Sequence, residues 1–280
     1  MKQNGYLTRA YRTVRVGIHV LYALTLAGLF YPWLPEKARM WVVRHWSGGL
    51  MRALNIRVRA TGVVPALSAQ NVVVVANHVS WLDIYALNSV RPARFVSKIE
   101  VRHWPVAGWL AYKSQTFFID RTKRHDTARV SQEMSAALTR GGCVAVFPEG
   151  TTSNGSMLRP FHASLLQPAV LSQSRVWPVA IRYSHADGSL NTVPAYVDEI
   201  SFGASLLKIL NQPVIYVELA FVEPILAQNQ TRRELALQTE QAISSVLNLV
   251  VPRKESGMPA GLQDAQPIAD LPTDNRCPAL

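Results

Sequence analysis

At 280 residues the chain can bury one large core, and with 49% hydrophobic and 17% charged residues it is too apolar to be disordered over most of its length. The formal net charge of +11 favours anionic membranes, acidic proteins or nucleic acid as partners. The lack of a zinc-finger spacing, an RNP-like aromatic strand or a concentrated basic tract points away from nucleic acid.

Gly17 to Leu34 reads GIHVLYALTLAGLFYPWL, close to the roughly 18 residues at which an apolar helix begins to span hydrocarbon; His19 is its one ionisable interruption. Bulky residues from Tyr31 to Leu34 leave no small-residue cleavage site, so the segment reads as retained. A buried core helix is the other reading. Met40 to Ile56 sets Trp41, Val42, Trp46, Leu50, Met51 and Leu54 among Arg44, His45 and Arg52, the pattern of an interfacial helix. Lys2, Arg9, Arg12 and Arg15 precede the first segment and Lys37, Arg39 and Arg44 follow it, so charge gives no orientation for a single span. A hairpin or in-plane helix pair is therefore expected over residues 1–60, associated with a membrane.

Asn71 to Ala76, NVVVVA, is a β-branched run suited to a strand buried on both faces. Further strands are expected at Arg94 to Lys98, Thr116 to Ile119, Cys143 to Phe147, Val176 to Tyr183 and Val214 to Val222. Pro178 inside the fourth of these marks an edge strand or a strand start. Between two of them, Asp126 is expected to cap a helix whose stripe is Val130, Met134 and Leu138, stopped by Gly141 and Gly142. Thr231 and Glu234 form a capping-box pattern before a last helix reaching Val250. Alternating strands and helices imply an α/β fold: a mixed, largely parallel sheet flanked by helices, over residues 61–251. From about Pro252 the sequence turns rich in Pro, Gly, Asp and Gln, which predicts a disordered tail over residues 252–280. Cys143 and Cys277 suit neither a disulfide framework nor a metal site, in keeping with a reducing compartment.

Four short stretches carry chemistry. Directly after the first strand, Asn77-His78-Val79-Ser80-Trp81-Leu82-Asp83 places a His and an Asp at a strand end, where open α/β sheets hold their sites. An imidazole that gives one N–H to a carboxylate can accept a proton on its other nitrogen, so His78 suits a general base oriented by Asp83; a helix-start hydrogen bond would also explain the pair. Phe118-Ile119-Asp120-Arg121 puts a guanidinium at another strand end, suited to a phosphate or carboxylate, or else to a structural ion pair. Pro148 to Gly155 is a loop of hydroxyls and amides in which Gly150 lets backbone approach a ligand closely. Val176-Trp177-Pro178-Val179-Ala180-Ile181 is an apolar strand that says little alone.

In this order, NHVSWLD, FIDR, FPEGTTS and WPVAI resemble the four motif blocks of the glycerolipid acyltransferase family that includes 1-acyl-sn-glycerol-3-phosphate acyltransferases. The resemblance implies that His78 is the general base and Asp83 its partner, and that the lysolipid hydroxyl attacks an acyl thioester without an acyl-enzyme. It implies acceptor binding by Lys98, Arg121, Glu149, Gly150 and Thr151, with no metal or other cofactor. The resemblance further implies an acyl carrier protein or coenzyme A thioester as donor and an active site that faces the cytoplasm at the membrane. One position departs: Thr152 stands where the family commonly has a phosphate-binding Arg. The first expectation is transfer to 1-acyl-sn-glycerol-3-phosphate, giving phosphatidic acid. The second is transfer to lyso-ornithine lipid, whose headgroup lacks the phosphate, or to another lysolipid. A non-catalytic lipid-binding protein would keep the apolar helices but has no need of His78 with Asp83.

Overall fold

The computed structural model describes residues 5–252 apart from Arg121, Asp198 and Glu199, and without the side chains of Pro32 and Arg124. The tail expected from residue 252 falls, after Pro252, outside the described residues, as does Cys277.

Helices α1 (Tyr6–Leu29) and α2 (Glu36–Ala53) come first, then strand β1 (Ile56–Gly62), β2 (Val72–Ala76), α3 (Leu82–Val90) and β3 (Arg94–Lys98). There follow α4 (Ala107–Lys113), β4 (Phe117–Ile119), α5 (Arg124–Thr139), β5 (Cys143–Val146), α6 (Gln167–Leu171) and β6 (Arg175–Ser184). The chain closes with α7 (Phe202–Asn211), β7 (Ile215–Phe221), β8 (Ile225–Leu226) and α8 (Arg232–Leu247). The strands form one sheet in the order β1-β7-β6-β2-β5-β3-β4, with β8 also on β6. Only the β6–β7 and β6–β8 pairs are antiparallel, so the sheet is mixed and largely parallel, as the sequence implies.

The valine run explains the layering. Every residue of β2 is buried, because successive side chains point to opposite faces and helices cover both. Val72, Val74 and Ala76 join the cluster built with Leu50 and Met51 of α2, Leu82 and Leu87 of α3 and Ile209 of α7. Val73 and Val75 join the opposite cluster, with Val130 and Met134 of α5 and Leu235 and Ile243 of α8. Because β1 starts at Ile56 and the helix pair shares the first cluster, α1 and α2 pack against the α/β unit that begins ahead of residue 61.

Several local expectations are corrected. α1 begins at Tyr6 rather than near Gly17, and among the described residues no helix is long and apolar enough to cross a membrane. His19 is an interhelix pin: its ring stacks on Trp46 at 5.2 Å, its Nε2 lies 2.8 Å from the Trp46 carbonyl, and the Trp46 indole N–H donates to the His19 carbonyl at 3.1 Å. A Cβ on Gly49 would collide with that ring, so the glycine lets the helices approach. Arg12 donates to the carbonyls of Gln212 at 2.6 Å and Pro213 at 2.9 Å, tying α1 to the end of α7. Pro178 lies in a central strand rather than at an edge. Its carbonyl accepts from Val222 N–H, so its missing donor points to that same side, in the gap where the β8 ladder has ended at Val176 and the β7 ladder begins at Val179. Asp126 does not cap α5; it sits in the first turn and accepts from the Asp120 N–H at 2.7 Å and from Arg129. The α8 capping box is present, and the helix stops at Leu247 because Asn248 turns left-handed.

Candidate active site

β2, β5, β3 and β4 run parallel, so their carboxyl ends share one edge of the sheet. At the end of β2 the Asn77 side chain takes over from the backbone ladder. Its amide donates to the Ile181 carbonyl at 3.0 Å and its carbonyl accepts from the Ile181 N–H at 2.7 Å. The main chain is thereby released from the sheet and turns outward at His78.

His78 Nδ1 lies 2.8 Å from Asp83 Oδ2. The five-residue spacing works because α3 starts at Leu82 and turns Asp83 back over the loop that precedes it. Asp83 is fully buried, and the same Oδ2 also accepts from the Val79 N–H at 2.7 Å and the Ser80 N–H at 2.9 Å. Its other oxygen accepts from the Tyr183 hydroxyl at 2.6 Å. Four donors fix the carboxylate in direction. Burial and the facing Asp83 push the Tyr183 hydroxyl well above its usual range, so it stays a donor. Nδ1–H on the carboxylate makes Nε2 the proton-accepting nitrogen of a ring that is 19% exposed. The Phe147 ring stacks on the imidazole at 4.0 Å, nearly parallel at 9°, and fixes its plane.

The loop after β5 braces this arrangement. Glu149 Oε1 accepts from the His78 N–H at 2.7 Å and Oε2 from the Arg159 N–H at 3.0 Å, while Ser153 N–H donates to the His78 carbonyl at 2.8 Å. Burial pushes the Glu149 carboxyl up to about 7, against the opposing pull of those two backbone donors. Gly150 takes a φ of +73°, which the turn needs and a larger residue would resist. Thr151 is exposed beside it, and the Thr152 hydroxyl donates to the Tyr196 carbonyl.

Of the residues singled out in the sequence, His78, Asp83 and Glu149 are brought into direct contact, and Gly150 and Thr151 follow in the same loop. Lys98 ends β3 on the same edge, exposed to solvent and with β5 between its strand and β2. Arg121 follows β4 but lies outside the described residues. Sequence reasoning missed Tyr183, Asn77 and the ring of Phe147. A signal existed for Tyr183: the alternation of β6 buries it, and a buried phenol needs an acceptor. Tyr183→Phe is expected to lower kcat about tenfold, the effect of one hydrogen bond, and to leave the KM values unchanged. Steady-state kinetics beside a melting curve would check this, and a variant that is less stable but equally active would make the tyrosine purely structural.

Beyond the Phe147 ring an apolar cavity of ≈210 Å³ runs between the helix pair, α3 and α4, with Ala23, Trp46, Trp81, Tyr85, Phe95 and Leu110 among its walls. Phe95 lies 5.8 Å from the Phe147 ring that stacks on His78, so the cavity begins two rings from the base. Among the described residues no group of three or more His, Cys, Asp or Glu side chains could hold a metal ion.

An acyltransferase family model matches residues 55–182. A lyso-ornithine lipid O-acyltransferase of Pseudomonas aeruginosa is 39% identical over 209 residues, which cover 75% of this chain and 79% of that protein. A 1-acyl-sn-glycerol-3-phosphate acyltransferase of Neisseria gonorrhoeae is 34% identical over 75% of this chain and 82% of its own. Among solved structures, the 1-acyl-sn-glycerophosphate acyltransferase of Thermotoga maritima shares the fold with a TM-score of 0.67 and 20% identity, covering 86% of this chain and 94% of that one.

Proposed function

The chain belongs to the acyltransferase family and is an O-acyltransferase, and we propose that it moves a fatty-acyl group from a thioester donor to the free hydroxyl of 1-acyl-sn-glycerol-3-phosphate. The observation that carries the chemistry is the His78–Asp83 pair, its base nitrogen left open two rings from an apolar cavity. Nε2 takes the proton of the acceptor hydroxyl as its oxygen attacks the thioester carbonyl. The tetrahedral intermediate then collapses, the carbon–sulfur bond breaks, and the imidazolium returns its proton to the departing thiolate. A new ester and a free thiol result, with Asp83 stabilising the imidazolium in between. No acyl-enzyme forms, and the donor is a carrier-protein or coenzyme A thioester.

Acceptor binding falls to Lys98, Gly150 and Thr151 around the carboxyl edge, and to Arg121. Glu149 acts by holding the backbone of His78 and of Arg159, which brings a further cation to the loop. A second reading, lyso-ornithine lipid as acceptor, is favoured by Thr152, whose hydroxyl is turned into the loop where the family commonly has a cation. Purified protein offered both lysolipids side by side is expected to show the higher kcat/KM with the phosphate-bearing one. The reverse preference would establish the second reading, and turnover of neither would overturn both acceptor assignments.

The reaction takes place at a membrane surface, on this reading. Leu7, Tyr11, Val14, Ile18 and Leu21 recur at helical spacing along α1 and are all exposed, and Trp33 in the following turn is 86% exposed. Such a stripe suits a helix lying in the interface. The helix pair then sits in the cytoplasm-facing leaflet, with the apolar cavity beneath it to receive an acyl chain.

A further inference from the structure

Away from the imidazole, around the β3–β4 margin of the sheet, sit cations that the proposed reaction does not use. Two adjoining clefts of ≈430 and ≈790 Å³ share Tyr31, Arg39, Arg94 and Gln115 as walls; Arg102 lines the first and Arg140 the second. None of their walls belongs to the catalytic pair or its loop. Arg94 is held by two contacts: its Nε–H donates to the Gln115 carbonyl at 2.9 Å and its guanidinium lies 4.0 Å from the Phe117 ring centre. Neither contact uses its two terminal nitrogens. Arg102 stacks against Tyr112 at 5.3 Å and Phe118 at 5.9 Å. Among the described residues, Arg94, Arg102 and Arg140 form no salt bridge. The carboxylates of the clefts are Glu36 and Glu133, and Glu133 is already bound by Arg129 at 2.5 Å.

Crowding is visible in the charges. Burial and the like charge of Arg140 hold the Arg94 guanidinium below its usual range. Glu133 and Glu36 offset this only in part, the cations of the clefts outnumber these two acids, and the planar forks of guanidiniums match phosphate oxygens. Location selects the kind of anion. Tyr31 belongs to the turn between α1 and α2, in which Phe30 and Trp33 project into solvent. The cations line a recess beside these apolar anchors, the pairing of charge and apolar surface that the headgroup and chains of an anionic lipid present.

We propose that this cleft is a second lipid site, which takes the phosphate-bearing headgroup of an anionic membrane lipid and seats the enzyme on anionic bilayers. The proposal rests on the membrane contact proposed above.

Co-sedimentation of the full chain with phosphatidylcholine vesicles, with and without added phosphatidylglycerol, tests it. Wild type is expected to prefer the anionic vesicles. Arg94→Gln, and separately the exposed pair Arg102→Gln/Arg140→Gln, should lose about fivefold of that affinity per charge removed. Binding to phosphatidylcholine alone and acyl transfer in detergent should stay as in wild type. The exposed pair keeps the test valid should Arg94→Gln fold poorly. Full preference in both variants would overturn the proposal while membrane contact stands. So would an equal loss in an Arg232→Gln/Arg233→Gln control, which would reduce the effect to diffuse charge. Wild type that binds neither vesicle would remove the membrane reading and the proposal together. Inorganic phosphate that alone stabilises wild type, and not Arg94→Gln, as much as vesicles do would name free phosphate as the occupant and overturn the lipid assignment.

Discussion

His78→Ala is expected to lower kcat by about 10³- to 10⁴-fold, the upper range for loss of a positioned general base, with little change in either KM. An alcohol is a poor nucleophile at neutral pH, and in this site Nε2 of His78 is the proton acceptor that the Asp83 contact leaves open. The side chain is partly exposed and its hydrogen bond is to Asp83 alone, while the backbone N–H to Glu149 and carbonyl to Ser153 contacts survive truncation. The fold and vesicle binding should therefore persist, and kinetics alongside circular dichroism would separate lost chemistry from lost structure. A variant of full activity would sink the proposed mechanism.

Asp83→Asn is expected to cost about 10²- to 10⁴-fold in kcat, by removing the charge that steadies the imidazolium and by weakening the hold on its tautomer. The substitution is nearly isosteric. An amide oxygen in the place of Oδ2 can still accept from Val79 and Ser80, and the amide nitrogen can donate to the Tyr183 oxygen. Asp83→Ala is a different experiment, since it strands the Val79 and Ser80 N–H groups and the Tyr183 hydroxyl in a buried space, with a cost of about 1–3 kcal/mol for each. The expected order of stability is therefore wild type, then the asparagine variant, then alanine, with activity low in both variants. An asparagine variant with wild-type kcat would mean that Asp83 serves only as a buried anchor for the loop.

The His78–Asp83 pair was legible because its contact is local: a strand end, a short loop and a helix start fit within a few residues. Tyr183 was not, since it reaches Asp83 from across the β2–β6 pairing, and sequence order does not state which strands are neighbours. The strand of valines was legible because a run with no polar face must be covered on both sides. β1 was hidden by its arginines, which alternate with Ile56, Val58 and Ala60 on a strand at the sheet's edge. α3 was hidden for the opposite reason: Leu82, Asp83, Ala86, Leu87 and Asn88 are all buried, so the helix has little polar face to give it a period. Glu149 was read as a headgroup contact from the resemblance. Its carboxylate meets two backbone N–H groups from distant segments, a use that only the folded chain reveals.

The binding architecture follows the same division. The apolar run from Gly17 was legible as a helix, but the length of α1 was not, because the helix continues upstream through Arg9, Arg12 and Arg15 where hydropathy falls. The apolar cavity draws its walls from the helix pair, α3, β3 and α4, segments that no local pattern connects. Thr152 is informative in both settings: it departs from the family pattern in sequence, and in the fold its hydroxyl is engaged with the Tyr196 carbonyl.

The central claim is direct transfer from thioester to lysolipid hydroxyl. It is tested by mixing purified protein with a long-chain acyl thioester and following free thiol and acylated lipid together, with and without lysolipid. The account predicts thiol and product appearing in equal amounts, only when lysolipid is present, and only with His78 intact. Stoichiometric thiol release without lysolipid, leaving an acylated protein that later reacts, would contradict it.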